Sequence, residues 1–389
     1  MRVLVAAERL GHAGGMERYL ELLLPQIAAR GATVHAVARR IDTAPAHVAA
    51  ARINWAEEHD PPSAAARGAM ERTVAALKPD VAVVHNVMDA GIVEALRTVP
   101  RLVYHAHDHR PFCPNGDRVF PRTGRICTER LGSPCTVHSL TDGCAYGPRR
   151  RTARLIRIRE RLRDAIVAAD AVVVTSRYMA TRATENGVSE RRIVEIVPPL
   201  PDEAYAGPNA LAGTAREVVF AGRIVSQKGL DSLIRAIATI APARRPRVRA
   251  FGDGPELPAV RDLARQLEVT LDAPGDTEPA TIRGALDGAA LLALPSRWAE
   301  PFGYVGIEAL ARGRPVVAYD VGGVSSWLSD GWNGVAVSPG DEASLGASIA
   351  ALLDDEPRRA RLGRNGRSDA ERYRMAPLVG ALISAYEGR

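Results

Sequence analysis

The sequence predicts an α/β protein of two doubly wound parallel-sheet domains facing each other across a central cleft. Three observations carry this prediction. A chain of 389 residues is longer than one ordinary hydrophobic core supports. Short apolar strands alternate with amphipathic helices over nearly all of it. The alternation breaks once, at "VPPLP" (197–201), and then restarts.

In the first half, "RVLVAA" (2–7), "TVHAVA" (33–38), "VAVVHN" (81–86), "RLVYHAH" (101–107) and "AVVVTS" (171–176) read as strands. They are apolar on both faces and rich in β-branched residues, as parallel strands covered by helices must be. "MERYLELLLPQIAAR" places its apolar residues on one helical face. A polar, Gly- and Pro-containing segment to about residue 212 is the expected linker. Beyond it, "EVVFAGR" (217–223), "RVRAFGDG" (247–254), "LLALPS" (291–296), "PVVAYD" (315–320) and "GVAVSP" (334–339) predict a second parallel sheet. The expected domains are therefore 1–200, with a cysteine-rich insert over about 110–147, and 212–365. A C-terminal helix in 366–389 is expected to pack back on the first domain. Sheets of this kind bind ligands outside the carboxyl ends of their strands, so the cleft is the expected site.

Composition narrows the function. The chain is 46% hydrophobic and 25% charged, as soluble globular proteins are. No apolar run reaches the roughly 18 residues a membrane span needs. The N-terminus is not a signal peptide, because its apolar core ends at Glu8 and Arg9. The expected location is cytoplasmic, with a peripheral position at the inner face of the membrane as an extension of it. A net charge of +6 suits an anionic partner such as a nucleotide, a phosphate or acidic lipid. Nucleic acid is disfavoured, since no stretch reads as a binding module and aromatic residues are only 5%.

Four motifs stand at predicted strand ends. "EPFGYVGIE" (300–308) follows "LLALPS" and opens a helix that should stop at Gly313. Its first backbone N–H groups, from Gly303 to Val305, favour a phosphate or a sugar hydroxyl. Glu300 and Glu308 lie about 12 Å apart at helical rise. That suits opposite ends of one elongated ligand and not a paired acid and base. In "AGRIVSQKGL", Arg223 and Lys228 are placed to clamp a diphosphate. "GHAGGMERYL" sets Gly14 and Gly15 before the first helix, and "FGDGPE" is another glycine turn. Each also has a plain reading, as a capped helix, a solvated loop or an ordinary turn. The first glycine turn is not G-x-G-x-x-G, and Arg39 and Arg40 stand where a ribose-binding acid would be expected, so a dinucleotide oxidoreductase is disfavoured.

Taken together and in order, these stretches resemble the family-four glycosyltransferases of the GT-B type, whose domains are Rossmann-like. The resemblance runs from "GGMERYLELLLPQIAARGATVHAVA" through "FAGRIVSQKGLDSLIRAI", "FGDGPE" and "LPSRWAEPFGYVGIEALARGRPVVAYDVGG" to "GWNGVAVSPGD". It implies a hexosyltransferase that retains anomeric configuration, uses a nucleotide-diphosphate sugar as co-substrate, and needs no metal or other cofactor in catalysis. It implies that Glu300 contacts the donor sugar, Glu308 the ribose, and Arg223 and Lys228 the diphosphate. Gly14, Gly15, Gly222, Gly252, Gly254, Pro301, Phe302, Gly303, Tyr304 and Val305 would line the donor. His107, in "YHAHDH", matches the family's active-site histidine. The chain departs from the family at Tyr304, often aliphatic there, and at Ser325 and Ser326, where Pro-Glu often follows the Gly-Gly pair. The hydroxyl acceptor is not legible; polysaccharide, glycolipid and natural-product glycoside synthesis are the expected settings. The rival readings are a nucleotide-sugar epimerase, a sugar phosphorylase, or a catalytically dead carbohydrate-binding protein.

All four cysteines, Cys113, Cys127, Cys135 and Cys144, fall in one insert. In a cytosolic protein such a group suggests structural zinc; reactive thiols and disulfides are the alternatives, and no C-x-x-C pair is present. Some polysaccharide-type family members are similar there, with "CPN" after the His-Asp. In "RRRTARLIRIRERLR" (149–163), Leu155, Ile158 and Leu162 share a face flanked by arginines. That face is read either as a rest on anionic lipid or as an ordinary packed helix.

Overall fold

The computed structural model describes residues 1–11, 15–57, 60–144, 149–207 and 216–389. The chain forms two compact units, Met1–Pro199 with Ala376–Arg389, and Leu200–Met375.

The first unit is built on seven strands: β1 (Arg2–Leu10), β2 (Thr33–Ile41), β3 (Ala49–Arg52), β4 (Val81–His85), β5 (Leu102–Ala106), β6 (Ala171–Val174) and β7 (Ile193–Glu195). Their order is β3-β2-β1-β4-β5-β6-β7 and every pairing is parallel. All residues of β4 and β5 are buried, so helices cover both faces. The helices are α1 (Gly15–Ala29), α2 (Ala64–Leu77), α3 (Ala90–Leu96), α4 (Ser133–Thr141), α5 (Arg149–Val167) and α6 (Arg177–Glu185). Sequence order reverses between β1 and β4, which places the switch point at the ends of those two strands, next to β5.

The second unit has six strands: β8 (Glu217–Ala221), β9 (Arg247–Phe251), β10 (Leu271–Gly275), β11 (Leu291–Leu294), β12 (Val316–Tyr319) and β13 (Gly334–Val337). Their order is β10-β9-β8-β11-β12-β13, again all parallel. Its helices are α7 (Leu230–Ala238), α8 (Leu257–Gln266), α9 (Pro279–Gly288), α10 (Tyr304–Ala311), α11 (Glu342–Asp354) and α12 (Glu356–Ala370). The switch point here lies between β8 and β11, and the loops after those two strands carry Arg223, Lys228 and Glu300. The last helix, α13 (Met375–Glu387), returns to the first unit.

Two expectations need correction, and one open alternative is decided. The chain returns at Ala376 and not at 366, because α12 packs on α10 and stays in the second unit. The expected linker begins as packed structure: Tyr205 donates to the Ala370 carbonyl at 2.8 Å and Arg312 donates to the Glu203 carbonyl at 2.9 Å. The apolar face of α5 is taken up inside the protein, with Leu155, Ile158 and Leu162 all buried, so it is a packed helix with exposed arginines. No helix among the described residues is long and apolar enough to cross a membrane.

Candidate active site

The second unit holds the carboxylate–amine centre. Glu300 follows β11 and is 3% exposed. Its Oε1 accepts from Lys228 Nζ at 2.6 Å and from Ser296 Oγ at 2.5 Å. Burial pushes the Glu300 carboxyl up, but the Lys228 charge and the hydrogen bonds from Lys228 and Ser296 outweigh it, so the group sits below the usual carboxylate range. Lys228 Nζ also lies 5.0 Å from the Trp298 ring centroid. The turn bearing Lys228 is pinned by Arg297, whose guanidinium binds the Ser226 carbonyl at 2.7 Å and both carboxylate oxygens of Asp231 at 2.8 and 3.1 Å. Sequence reasoning missed Arg297 and Ser296, although both stand in the quoted "LPSRWAEP"; a strand end followed by an arginine beside the acid was the available signal.

The segment after Glu300 is held just as firmly. The Glu300 carbonyl accepts from Gly323 N, and the Phe302 carbonyl from Trp327 Nε1, both at 2.6 Å. Pro301 and Phe302 are buried, and Gly303 takes a left-handed conformation (φ 86°) that opens α10 with no side-chain cap. Tyr304 and Val305 form the first turn, and Glu308 is half-buried one turn on. The diphosphate clamp expected from Arg223 and Lys228 is therefore asymmetric. Lys228 is tied to Glu300, whereas the Arg223 side chain is exposed.

Three of the expected donor-lining glycines have another use. A Cβ on Gly252 would lie 2.1 Å from the Gly222 carbonyl oxygen, and one on Gly254 would lie 2.1 Å from that of Ile224. The loops after β8 and β9 pack backbone against backbone, joined by Ile224 N to the Asp253 carbonyl at 2.8 Å. Gly15 starts α1 with open space where a Cβ would stand; Gly14 lies outside the described residues.

In the first unit, His107 follows β5 beside a small pocket of about 220 Å³ that Tyr19, His105 and Thr175 also line. Its Nε2 shares a hydrogen bond of 2.9 Å with Nδ1 of His85. Burial first, and then the nearby Arg110, lower the His107 imidazole to about 4 against the pull of Asp108, so the ring is neutral near pH 7. Asp108 does not orient that ring: it accepts from Asn86 Nδ2 at 2.8 Å and from Arg110 N and Nε, both at 2.9 Å. Asn86, buried in a left-handed conformation (φ 51°), accepts from His107 N at 3.0 Å. It holds the strand end in a conformation that asparagine tolerates better than most residues. His85, His105 and His107 bring ring nitrogens within 4.8 Å of one another. Their planes are inclined to one another by only 22–30°. Tyr386 of α13 adds a 3.1 Å contact to His105 Nε2.

The four cysteines are free, and all line one pocket of about 430 Å³ in the insert. Burial first, and then the neighbouring Cys127 and Cys113, push the Cys144 thiol up to about 12.

With two doubly wound units and a buried acid–amine pair at the switch point of the second, the chain can be set beside known proteins. The profile for "Glycosyltransferase Family 4" matches residues 13–203 and that for "Glycosyl transferases group 1" matches 202–369. The chain belongs to the group 1 glycosyltransferases of GT-B fold. It is 32% identical to a D-inositol 3-phosphate glycosyltransferase of Nocardia farcinica, over 57% of this chain and 53% of that one. It is 33% identical to the alpha-D-kanosaminyltransferase of Streptomyces kanamyceticus, over 43% and 45%. The chain spans about half the length of these curated relatives. Among solved structures it resembles HepE of Anabaena, determined with UDP, at a TM-score of 0.73, 19% identity and full coverage of both chains; that likeness shows the fold.

Proposed function

We propose that the chain is a retaining hexosyltransferase that moves a sugar from a nucleotide-diphosphate sugar to a hydroxyl acceptor. The setting would be polysaccharide, glycolipid or natural-product glycoside synthesis. The Lys228–Glu300–Ser296 centre at the β8/β11 switch point carries this reading. HepE has been solved with UDP and with UDP-glucose, which supports a nucleotide sugar as co-substrate.

In the proposed reaction the bond between the anomeric carbon and the leaving phosphate oxygen breaks. The acceptor oxygen bonds to that carbon on the same face, and its proton passes to the donor phosphate. Arg223 and Lys228 stabilise the charge growing on the leaving nucleoside diphosphate. Glu300, held ionised, orients Lys228 and receives sugar hydroxyls on its free lone pairs. The uncapped start of α10, with Gly303, Tyr304 and Val305, offers N–H groups to sugar and phosphate, and Glu308 takes the ribose. Neutral His107, with Nε2 held by His85, offers its remaining ring nitrogen to a sugar hydroxyl. The proposed site of action is cytoplasmic. The exposed arginines 151, 154 and 157 of α5 give a cationic surface for an acceptor carried at an anionic membrane face.

Melting temperature against a panel of UDP-, GDP-, ADP- and dTDP-sugars tests this. A donor at 100 times its Kd stabilises by about 2.7 kcal/mol. One responder, lost in Glu308→Ala, supports the proposal and identifies the donor. Stabilisation by sugar phosphates alone would replace it with a phosphorylase.

A further inference from the structure

The insert between Cys113 and Cys144 is poor in the means of holding itself together. Its helix α4 buries no residue, and its only strand pairing among the described residues is the Val119–Ile126 bridge. Val137 and Leu140 on α4 are 56% and 52% exposed. A segment that buries little beyond Phe120 and Leu131 gains much from a cross-link that keeps one conformation.

The backbone brings four cysteines to the walls of one pocket. Cys113 ends the 3-10 turn Arg110–Phe112, and its carbonyl accepts from Gly116 N at 3.0 Å. Arg118, buried and left-handed (φ 49°), binds the Cys127 and Glu129 carbonyls at 3.1 and 3.0 Å, and its own carbonyl accepts from Cys127 N at 2.7 Å. A buried guanidinium thus fixes the hairpin that carries Cys127. Cys135 sits in the first turn of α4, and Cys144 follows that helix with its N–H on the His138 carbonyl at 3.4 Å. A second observation points into the same pocket. Thr152 of α5 lines it, is 7% exposed, and has a buried Oγ1 with no hydrogen-bond partner among the described residues. His138 also lines the pocket, but its Nδ1 is 2.8 Å from Asp142 and its Nε2 faces Glu129 at 3.9 Å.

We propose that Cys113, Cys127, Cys135 and Cys144 bind one structural zinc ion as thiolates, with the Thr152 hydroxyl donating to a ligating sulfur. Binding releases the four thiol protons and changes no oxidation state. Zinc–sulfur bonds of about 2.3 Å put tetrahedral sulfurs roughly 3.8 Å apart. Among the described residues the group packed within 4.8 Å is the histidine set and not the sulfurs, so loading draws the segments inward. The ion then performs for the insert what a core performs elsewhere.

Metal content of the full chain, purified without chelator, incubated with zinc and desalted, tests this independently of any transferase activity. About one zinc per chain is expected, with thiols that titrate only when a mercurial releases the metal. Paired replacement Cys127→Ser with Cys135→Ser abolishes retention. Should that variant not fold, chelator-stripped wild-type protein serves instead: cleavage by protease within 113–144 appears on stripping and disappears on readdition of zinc. Less than about 0.2 zinc per chain with four titratable thiols, two disulfides, or another metal in its place overturns the proposal.

Discussion

Lys228 and Glu300 are each other's main counter-charge, and that makes their replacement asymmetric. Lys228→Met leaves a carboxylate that is 3% exposed without its cation, and the expected loss is about 3 kcal/mol of stability together with activity. Glu300→Gln keeps the Ser296 contact and should unfold at nearly the wild-type temperature while losing donor response. Equal melting losses in the two variants would contradict this account. His107 gives a pH prediction. Its folded pKa of about 4 lies below the unfolded value near 6.5, so the unfolded chain binds more protons between those limits. Stability from this group is complete above pH 6.5 and is lost as pH falls towards 4, by about 2–3 kcal/mol. Melting curves taken from pH 7 to 4.5 should show that decline, and His107→Asn should reduce it without removing it, since burial also holds His85 and His105 well below the ordinary histidine value. For the same reason the kcat/KM profile should carry no limb near 6.5 from this imidazole. The sequence showed the chemistry of both residues but not their partners. His85 and Asn86 were read as the end of a strand, because spacing along a chain says nothing of which strand end lies alongside.

At the level of elements, the turn at 300–308 depends on space as much as on charge. A Cβ on Gly306 would lie 2.1 Å from the Trp327 ring, whose indole holds the Phe302 carbonyl. Gly306→Ala should therefore displace the start of α10, costing about 3 kcal/mol and weakening nucleotide affinity in the same variant. Calorimetry with the responding nucleotide measures both. The strands that sequence reading found lie mostly inside the sheets, where burial on two faces writes a continuous apolar run. Those it missed, β3 "AAAR", β7 "IVE" and β10 "LDAPG", are all edge strands. An edge needs neither length nor β-branched residues, and it tolerates the proline and glycine that argue against a strand elsewhere. The glycines of "FGDGPE" were legible as a turn. Their use for loop-on-loop contact was not, since it is set by the neighbouring strand.

For the whole molecule, the decisive fact is that the chain passes between units at Pro199–Leu200 and again at Met375–Ala376. Helix α13 buries Val379, Leu382, Ala385 and Tyr386, and Arg101 Nε donates to the Ala385 carbonyl at 3.0 Å. Each large apolar side chain contributes about 1.5–3 kcal/mol, a sizeable part of a domain's net stability. A chain ending at Met375 should therefore lose the cooperative melting of the first unit, whereas residues 200–375 alone should keep a single thermal transition by circular dichroism. A stable 1–199 fragment would contradict this. The same path sets an order of assembly on the ribosome. Residues 376–389 are synthesised after all of 200–375, so the first sheet waits, short of its closing helix, while the later-made unit has everything it needs. The half made second is then the half that matures first, and for that interval the nascent chain exposes the apolar seat of α13 to chaperones.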